Sequence, residues 1–288
     1  MNKILAREQL NSDTVLLDVE APLIARKALP GQFIIFRVDQ EGERVPLTIA
    51  GTDPQKGSVR IIFQTVGKST LRLGDLKVGD RIENFVGPLG KASELDEYAG
   101  KRVAVIGGGL GMAIAYPQAA YLHQIGAQVD VIAGFRNKDL IILEEEMKAV
   151  SSRFHLTTDD GSSGRKGFVT TVLQELIDEG ARFDLVLAIG PLVMMRAVAN
   201  LTRPYGLKTI VSMNTIMVDG TGMCGCCRLT VGCDVKFSCV DGPDFDGHEV
   251  DFEEAIRRSK AYLEQEAHDY REEQELHRCR LTGEVRHG

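Results

Sequence analysis

Arg102 to Gly126 reads RVAVIGGGLGMAIAYPQAAYLHQIG, and its first half decides what kind of domain surrounds it. A continuous apolar strand runs into glycines, and the residues behind them have the length and composition of a helix. Gly107, Gly108, Gly109 and Gly111 stand at the strand's end and the helix's start. Glycine there permits a tight turn and lets a pyrophosphate approach the N–H groups of the helix N-terminus. The spacing falls short of the dinucleotide fingerprint G-x-G-x-x-G, because Met112 holds the third glycine's place. A glycine-rich turn without a ligand is the competing reading. The strand before it and the helix behind it favour a nucleotide, held through Gly108, Gly109, Leu110 and Gly111.

Working toward the C-terminus, the alternation continues. QVDVIAGF is a second strand, LIILEEEMKAV predicts a helix, RFHLTTD a strand, FVTTVLQELIDEG a helix, FDLVLAIG a strand, PLVMMRAVANLTRPYG a helix and KTIVSM a strand. Strands alternating with helices at this spacing mean a mainly parallel, doubly wound α/β sheet over residues 99–212. In GFRNKD, after the second strand, Arg136 is placed to meet an adenosine or a 2'-phosphate. Asp130 falls inside the strand rather than at its end, so this loop does not separate NAD from NADP. Gly190 and Pro191 end the fourth strand on the sheet edge where such folds bind ligands, on the expected nicotinamide side.

Working toward the N-terminus, TVLLDVEA, GQFIIFRV, RVPLTIAG, SVRIIFQTV and DRIENFVGP are short strands separated by turn signals. They predict a small antiparallel β-barrel over residues 1–98. Within it, Thr48 follows a proline in Arg44-Val45-Pro46-Leu47-Thr48 and is read as ending its strand. About twenty residues on come Gln64 and Thr65, then Gly67, Ser69 and Thr70, which can present N–H and hydroxyl groups to a phosphate while Arg44 adds charge.

The whole chain sets bounds. At 288 residues it is long enough for two domains with their own cores, and it does not need disulfides to fold. No apolar run approaches the roughly 20 residues of a membrane span. The first residues lack the apolar segment and cleavage site of a signal peptide, so cytoplasm is expected, where clustered cysteines are metal ligands or redox groups more often than disulfides. A net charge of -7 makes nucleic acid an improbable partner. Residues 249–288 form a charged helical tail, read as a solvated or docking helix.

The order barrel, glycine-rich domain, Cys-rich segment resembles the ferredoxin-NADP reductase superfamily, in which FAD lies between barrel and nicotinamide domain. RVPLTI, GGGLGMA and the Cys segment resemble more closely the electron-transfer subunit of dihydroorotate dehydrogenase. They also resemble, more closely still, the small subunit of NADH-dependent ferredoxin:NADP oxidoreductase, also described as sulfide dehydrogenase. The resemblance covers about residues 1–250. One position departs from the superfamily: its arginine three residues before the flavin-contacting hydroxyl is here Val45, and Arg44, displaced by one, would turn to the other face of a strand. Either the strand is bulged or residues 67–70 carry the pyrophosphate.

Residues 213–248 hold the Cys-rich stretch, with MVDGTGMCGCCRLTVGCDVKFSCVDG running from Met217 to Gly242. Plant-type two-iron clusters use C-x4-C-x2-C and a distant fourth cysteine. Here the pattern is D-x4-C-x2-C-x11-C, namely Asp219, Cys224, Cys227 and Cys239. Three thiolates and a carboxylate give each iron two terminal donors. The resemblance implies such an aspartate in the oxidoreductase small subunit, whereas the dihydroorotate dehydrogenase relative has four cysteines. Zinc is the competing reading, with Cys224, Cys227, Cys233 and Cys239 as four thiolates. On the cluster reading Cys226 and Cys233 are spare and Cys279 is a free thiol, while His248 is a surface or capping residue.

What the resemblance implies is a cytoplasmic electron-transfer subunit with FAD, a [2Fe-2S] cluster and NAD(H), NADP(H) remaining open. It needs no catalytic acid, base or nucleophile. Its partner would be a larger subunit with flavin and [4Fe-4S] clusters, resembling the glutamate synthase small subunit and connecting to ferredoxin. The family is associated with flavin-based electron bifurcation. A dihydroorotate dehydrogenase electron-transfer subunit, with an FMN barrel enzyme as partner, is the alternative, and a non-catalytic zinc-stabilised module the remote one.

Overall fold

The computed structural model describes residues 1–282, with side chains as far as His277. Its first sheet contains β1 (Asn2–Gln9), β2 (Thr14–Glu20), β3 (Phe33–Arg37), β4 (Val45–Asp53), β5 (Ser58–Gln64), β6 (Arg81–Ile82) and β7 (Asn84–Leu89). Two short helices, α1 (Pro22–Ala25) and α2 (Lys68–Asp75), lie in the connections. The strand order is β6-β1-β2-β5-β4-β3-β7, and every pairing is antiparallel. DRIENFVGP, expected as one strand, divides at Glu83 into β6 on one edge and β7 on the other. One stretch of chain thereby covers both edges and nearly closes the barrel, which removes exposed strand edges.

Alternation along β3 explains its unbroken apolar run. Ile34 and Phe36 point into the barrel with Ile61, Phe63 and Leu73, all fully buried. Phe33 and Ile35 point the opposite way and are buried too, beneath the Cys-rich segment. In β4, Thr48 does not end the strand, which continues to Asp53. What ends near Thr48 is pairing with β3; beyond it β4 pairs with β5, after a register shift between Ile49 and Gly51.

The second unit comprises β8 (Arg102–Gly108), α3 (Gly111–Gln124), β9 (Gln128–Phe135), α4 (Glu144–Ala149), β10 (Arg153–Thr158), β11 (Arg165–Lys166), α5 (Val169–Asp178), β12 (Leu185–Ile189), α6 (Leu192–Thr202) and β13 (Thr209–Ser212). After the β14 (Arg228–Val231) and β15 (Asp234–Phe237) hairpin, β16 (Asp244–Asp246) joins this sheet as an antiparallel edge. The order is β11-β10-β9-β8-β12-β13-β16. Apart from β16 the sheet is parallel, and its order reverses between β8 and β12, the position where open α/β sheets bind ligands. The helix expected over LIILEEEMKAV is confined to Glu144–Ala149: Ile141 is extended, Leu143 takes φ 54, and the bend buries Ile142 in the core.

Apolar and polar contacts lock the units together. Leu16, Ala50 and Ile62 of the barrel share a core with Met112, Ala113 and Ala119 of α3. Asp244 accepts from Ser93 Oγ at 2.6 Å, and Gln118, fully buried on α3, donates to Ser93 Oγ at 2.9 Å. Burial pushes the Asp244 carboxyl above the usual carboxylate range. The tail is two helices: α7 (Phe252–Ser259), capped by Asp251 and buried through Phe252 and Ala255, and α8 (Leu263–Thr282), which returns to lie along α2. No helix among the described residues is long and apolar enough to cross a membrane.

Candidate functional site

The Cys-rich loop is shaped by Gly220, Gly222 and Gly225, with φ of 76, 83 and 70. A Cβ at Gly220 would stand 2.8 Å from the side chains of both Ile35 and Leu89, so the loop lies directly on the barrel wall. Cys227 precedes β14 and Cys239 follows β15, and the base of that hairpin, closed by Ser238 N–H to Cys227 O at 3.1 Å, brings their sulfurs to 3.2 Å. Each residue is only 1% exposed, packed with Phe33, Ile35 and Met217. Burial, then the neighbouring Cys227 thiol, pushes the Cys239 thiol up to about 12. Such a pair becomes two thiolates only beside a compensating cation.

The other two donors lie at the loop's outer side. Cys224 is exposed. Asp219 accepts from the Thr221 and Cys224 N–H groups at 2.8 and 2.9 Å, and these bonds, that from Thr221 foremost, hold its carboxyl below the usual range. The carboxylate is therefore anionic and pinned beside Cys224. The candidate donors lie as two pairs, Cys227 with Cys239 and Asp219 with Cys224; among the described residues no three such side chains converge as for one metal ion. Two pairs suit a two-iron group. Cys233 sits at the exposed hairpin tip, six residues beyond Cys227 and on the order of 15–20 Å away at strand rise, which removes it from a four-thiolate zinc site. The neighbouring Cys224 thiol raises the pKa of Cys226. His248 Nε2 meets Thr202 Oγ1 at 2.9 Å, a structural contact. The side chain of Cys279 lies outside the described residues.

On the barrel, β3 and β4 set the register. Phe33 faces Thr48 and Ile35 faces Pro46, so Thr48 and Pro46, both half-buried, share the outer barrel face with the floor of the cysteine pocket, one strand away. Val45 and Leu47 turn inward onto the barrel core. Pairing is regular from Val45 to Thr48, so no bulge restores an arginine there; Arg44 is exposed just before the strand, in alternation with Pro46 and Thr48. Gln64, the last residue of β5, and Thr65 lead to Gly67 and α2. The hydroxyl of Thr70 donates to Gly67 O at 3.0 Å and that of Ser69 to Glu43 at 3.1 Å. What this segment offers an anion is therefore the first-turn N–H groups of α2 rather than these hydroxyls.

The glycine turn divides into packing and open positions. A Cβ at Gly107 would meet Met112 Sδ at 1.9 Å, so the buried methionine in the third glycine's place fills the space beneath the first. Gly108 abuts Met194 and Pro191, and Gly111 abuts the Ile189 carbonyl and Gly190. Gly109 has φ 55 and nothing within 4 Å of its Cβ direction. The Met112 and Ala113 N–H groups are taken by the Gly109 and Leu110 carbonyls, leaving Leu110 and Gly111 as the candidate donors of the turn. Arg136 is exposed after β9, where the Asp160 N–H bonds to its carbonyl at 3.3 Å. Asp130 is 1% exposed and paired with Arg102 at 2.5 Å and Arg153 at 3.4 Å, a structural carboxylate within the sheet.

Sequence reasoning did not find the partners of the flavin-type segment: Glu43 on Ser69, and Tyr270 and Glu273 of the tail on Thr65 and Arg72. The only signal was that Tyr270 and Glu273, three apart, share one face of a helix otherwise polar all round.

Residues 214–251 match the family model for the iron-sulfur cluster binding domain of dihydroorotate dehydrogenase B. A dihydroorotate dehydrogenase B (NAD(+)) electron transfer subunit homolog of Thermotoga maritima is 43% identical over 94% of each chain. The corresponding electron transfer subunit of Shouchella clausii is 31% identical over 86% of this chain and 96% of its own. Among solved structures, a chain from work on flavin-based electron bifurcation by the NADH-dependent reduced ferredoxin-NADP oxidoreductase superposes with a TM-score of 0.89 at 41% identity, covering 94% of this chain and 97% of that one. A barrel joined to a doubly wound sheet, a cluster-binding domain behind it and these likenesses agree: the chain belongs to the family of dihydroorotate dehydrogenase B electron transfer subunits and their homologues, oxidoreductase-type electron-transfer flavoproteins with a ferredoxin-NADP reductase-like fold.

Proposed function

We propose that this chain is the small subunit of a cytoplasmic NADH-dependent ferredoxin:NADP+ oxidoreductase, exchanging hydride between NAD(H) and FAD and single electrons through a [2Fe-2S] cluster with a larger partner subunit. When bound, these groups supply the chemistry: nicotinamide carries hydride, the two-iron cluster carries one electron, and flavin handles both. The protein's residues bind and orient. Pro46 and Thr48 would line the flavin ring, with the N–H groups of Lys68 to Thr70 behind Gly67 on its pyrophosphate and Arg44 at the mouth. Gly108 to Gly111 would hold the nucleotide's pyrophosphate, Arg136 its adenosine end, and Gly190 and Pro191 its nicotinamide end. Cys227 and Cys239 would hold one iron, Asp219 and Cys224 the other.

The observation that carries this reading is the carboxylate in place of the first thiolate: Asp219 is anionic, fixed by two N–H groups and adjacent to Cys224. A ferric ion, a hard acid, accepts carboxylate oxygen readily. The larger subunit would carry flavin and [4Fe-4S] clusters and connect to ferredoxin, and the complex would couple NAD, NADP and ferredoxin by bifurcation. The match of residues 214–251 supports a second reading, a dihydroorotate dehydrogenase electron transfer subunit. Asp219→Cys separates the two. Flavin and iron analysis with EPR of the reduced protein should give one FAD and two irons per chain, and a cluster spectrum and potential that change in the variant. An unchanged spectrum and potential would remove Asp219 from the ligand set. Uncoupled NADH dehydrogenation as the sole activity of the purified complex would remove bifurcation.

A further inference from the structure

The tail helix α8 is polar all round and has no apolar stripe to bury, yet it lies against the barrel helix α2. Polar contacts of Tyr270, Glu273 and His277 hold it. Tyr270 Oη donates to Thr65 O at 2.9 Å. Arg72 Nε and Nη2 reach Glu273 Oε2 at 2.8 and 2.7 Å, with Asp39 at 3.5 Å from the same guanidinium. His277 Nδ1 lies 2.7 Å from Asp75 Oδ2. Glu273 is 1% exposed, an acid sealed against α2 by a helix that is otherwise solvated. A carboxylate that deeply buried is sustained by its guanidinium partner, and removing one member of such a pair leaves the other charge uncompensated.

These contacts grip one short stretch. Thr65 donates its N–H and hydroxyl to Asp13 O at 2.8 and 3.3 Å on the barrel side and gives its carbonyl to Tyr270 on the other. Arg72 and Asp75 lie on the helix that Gly67 opens. The turn from Gln64 to Thr70, with the N–H groups at the head of α2, is therefore clamped from both sides, and the tail supplies one jaw.

We propose that α8 is a strap that pre-orders the flavin-pyrophosphate turn, with Tyr270 and Glu273 as positioning residues for FAD. The inference rests on the assignment of that turn to FAD. A turn already held in its binding geometry avoids the ordering cost on ligand capture, so loosening it weakens binding without removing any group that touches the ligand.

The test uses the full-length chain reconstituted with FAD. Flavin fluorescence gives the FAD dissociation constant for wild type, Tyr270→Phe and Glu273→Gln, while iron content and the reduced-cluster EPR signal report the cysteine module. Loss of one anchoring contact should weaken FAD by about tenfold, with iron and EPR unchanged. Tyr270→Phe keeps the ring and removes only the hydroxyl, so it serves if Glu273→Gln does not fold. Wild-type FAD affinity in folded Tyr270→Phe would overturn the strap, as would loss of cluster in proportion to flavin, which marks a general stability effect. A wild-type chain that takes up no FAD overturns the flavin assignment itself, before any variant is compared.

Discussion

Alanine at Gly111 and alanine at Gly109 should separate what the fold requires of the glycine turn from what a nucleotide requires. A Cβ at 111 would stand 2.2 Å from the Ile189 carbonyl oxygen and 2.8 Å from the Gly190 Cα. Both are backbone atoms at the end of the central strand β12, so no side-chain rotation relieves the overlap. Helix α3 must lift from the sheet, in a core where Met112, Ala113 and Ala115 are at most 1% exposed. Overpacking of this kind costs about 1–3 kcal/mol, which corresponds to a fall in Tm of roughly 2–12 °C at about 2–4 °C per kcal/mol. Gly109 differs: its Cβ direction is open and its cost is the left-handed φ of 55, about 1 kcal/mol. That methyl would occupy the side of the turn where the pyrophosphate is proposed. Thermal unfolding by circular dichroism and NADH titration of the flavin signal should therefore diverge. Gly111→Ala should lose the greater part of the Tm difference, and Gly109→Ala should lose about tenfold or more in NADH affinity with a small Tm change. A wild-type Tm for Gly111→Ala would refute the close strand–helix contact, and unchanged NADH affinity in Gly109→Ala would remove the nucleotide from this turn.

The buried Asp244 carboxyl has a folded pKa above its ordinary value of 3.8, so its ionised form opposes folding and its contribution worsens as pH rises through that window. Asp244→Asn should gain stability relative to wild type near pH 7, with the gap closing below about pH 4; denaturant titrations across pH that show no such convergence would contradict it. Cys233→Ser should retain full iron content, whereas Cys227→Ser and Cys239→Ser should lose the cluster absorption in anaerobically purified protein. Asp130→Asn leaves Arg102 and Arg153 without their shared carboxylate and should destabilise by about 3 kcal/mol while NADH affinity holds, as measured by unfolding and by titration.

Much of this architecture was legible because local pattern and global fold agree. Strands β8 and β12 are near-continuous apolar runs, and β9 is one but for Asp130, as a sheet covered on both faces requires, and the glycines after β8 mark an edge where backbone approaches backbone. The iron-sulfur segment was legible from its clustered cysteines, and the match falls on residues 214–251. Sequence misled where tertiary contacts override local propensity. Leu140 to Val150 has helical composition, but burying Ile142 interrupts it. Thr48 follows a turn-like proline, yet β4 continues because β5 takes over its pairing. Ser69 and Thr70 look like phosphate hydroxyls until Glu43 and Gly67 claim them. Contacts spanning about two hundred residues, such as Arg72 with Glu273, leave no periodic trace.

The double-sided burial of β3 joins the parts. Ile34 and Phe36 stabilise the barrel from inside, while Phe33 and Ile35 form the floor for Cys227 and Cys239. The cross-strand neighbours of that floor are Thr48 and Pro46, at the interstrand spacing of about 4.8 Å. A polar residue at 33 or 35 would suit neither side, since it would sit under the buried sulfurs and beside the half-buried face of β4. The FIIF run is thus constrained twice, once by the barrel core and once by the need to keep the cysteine pocket dry and one strand from the flavin-type segment. The short separation between those two sites follows from the β3–β4 pairing beneath a segment that leaves the second sheet after β13 and returns to it as β16.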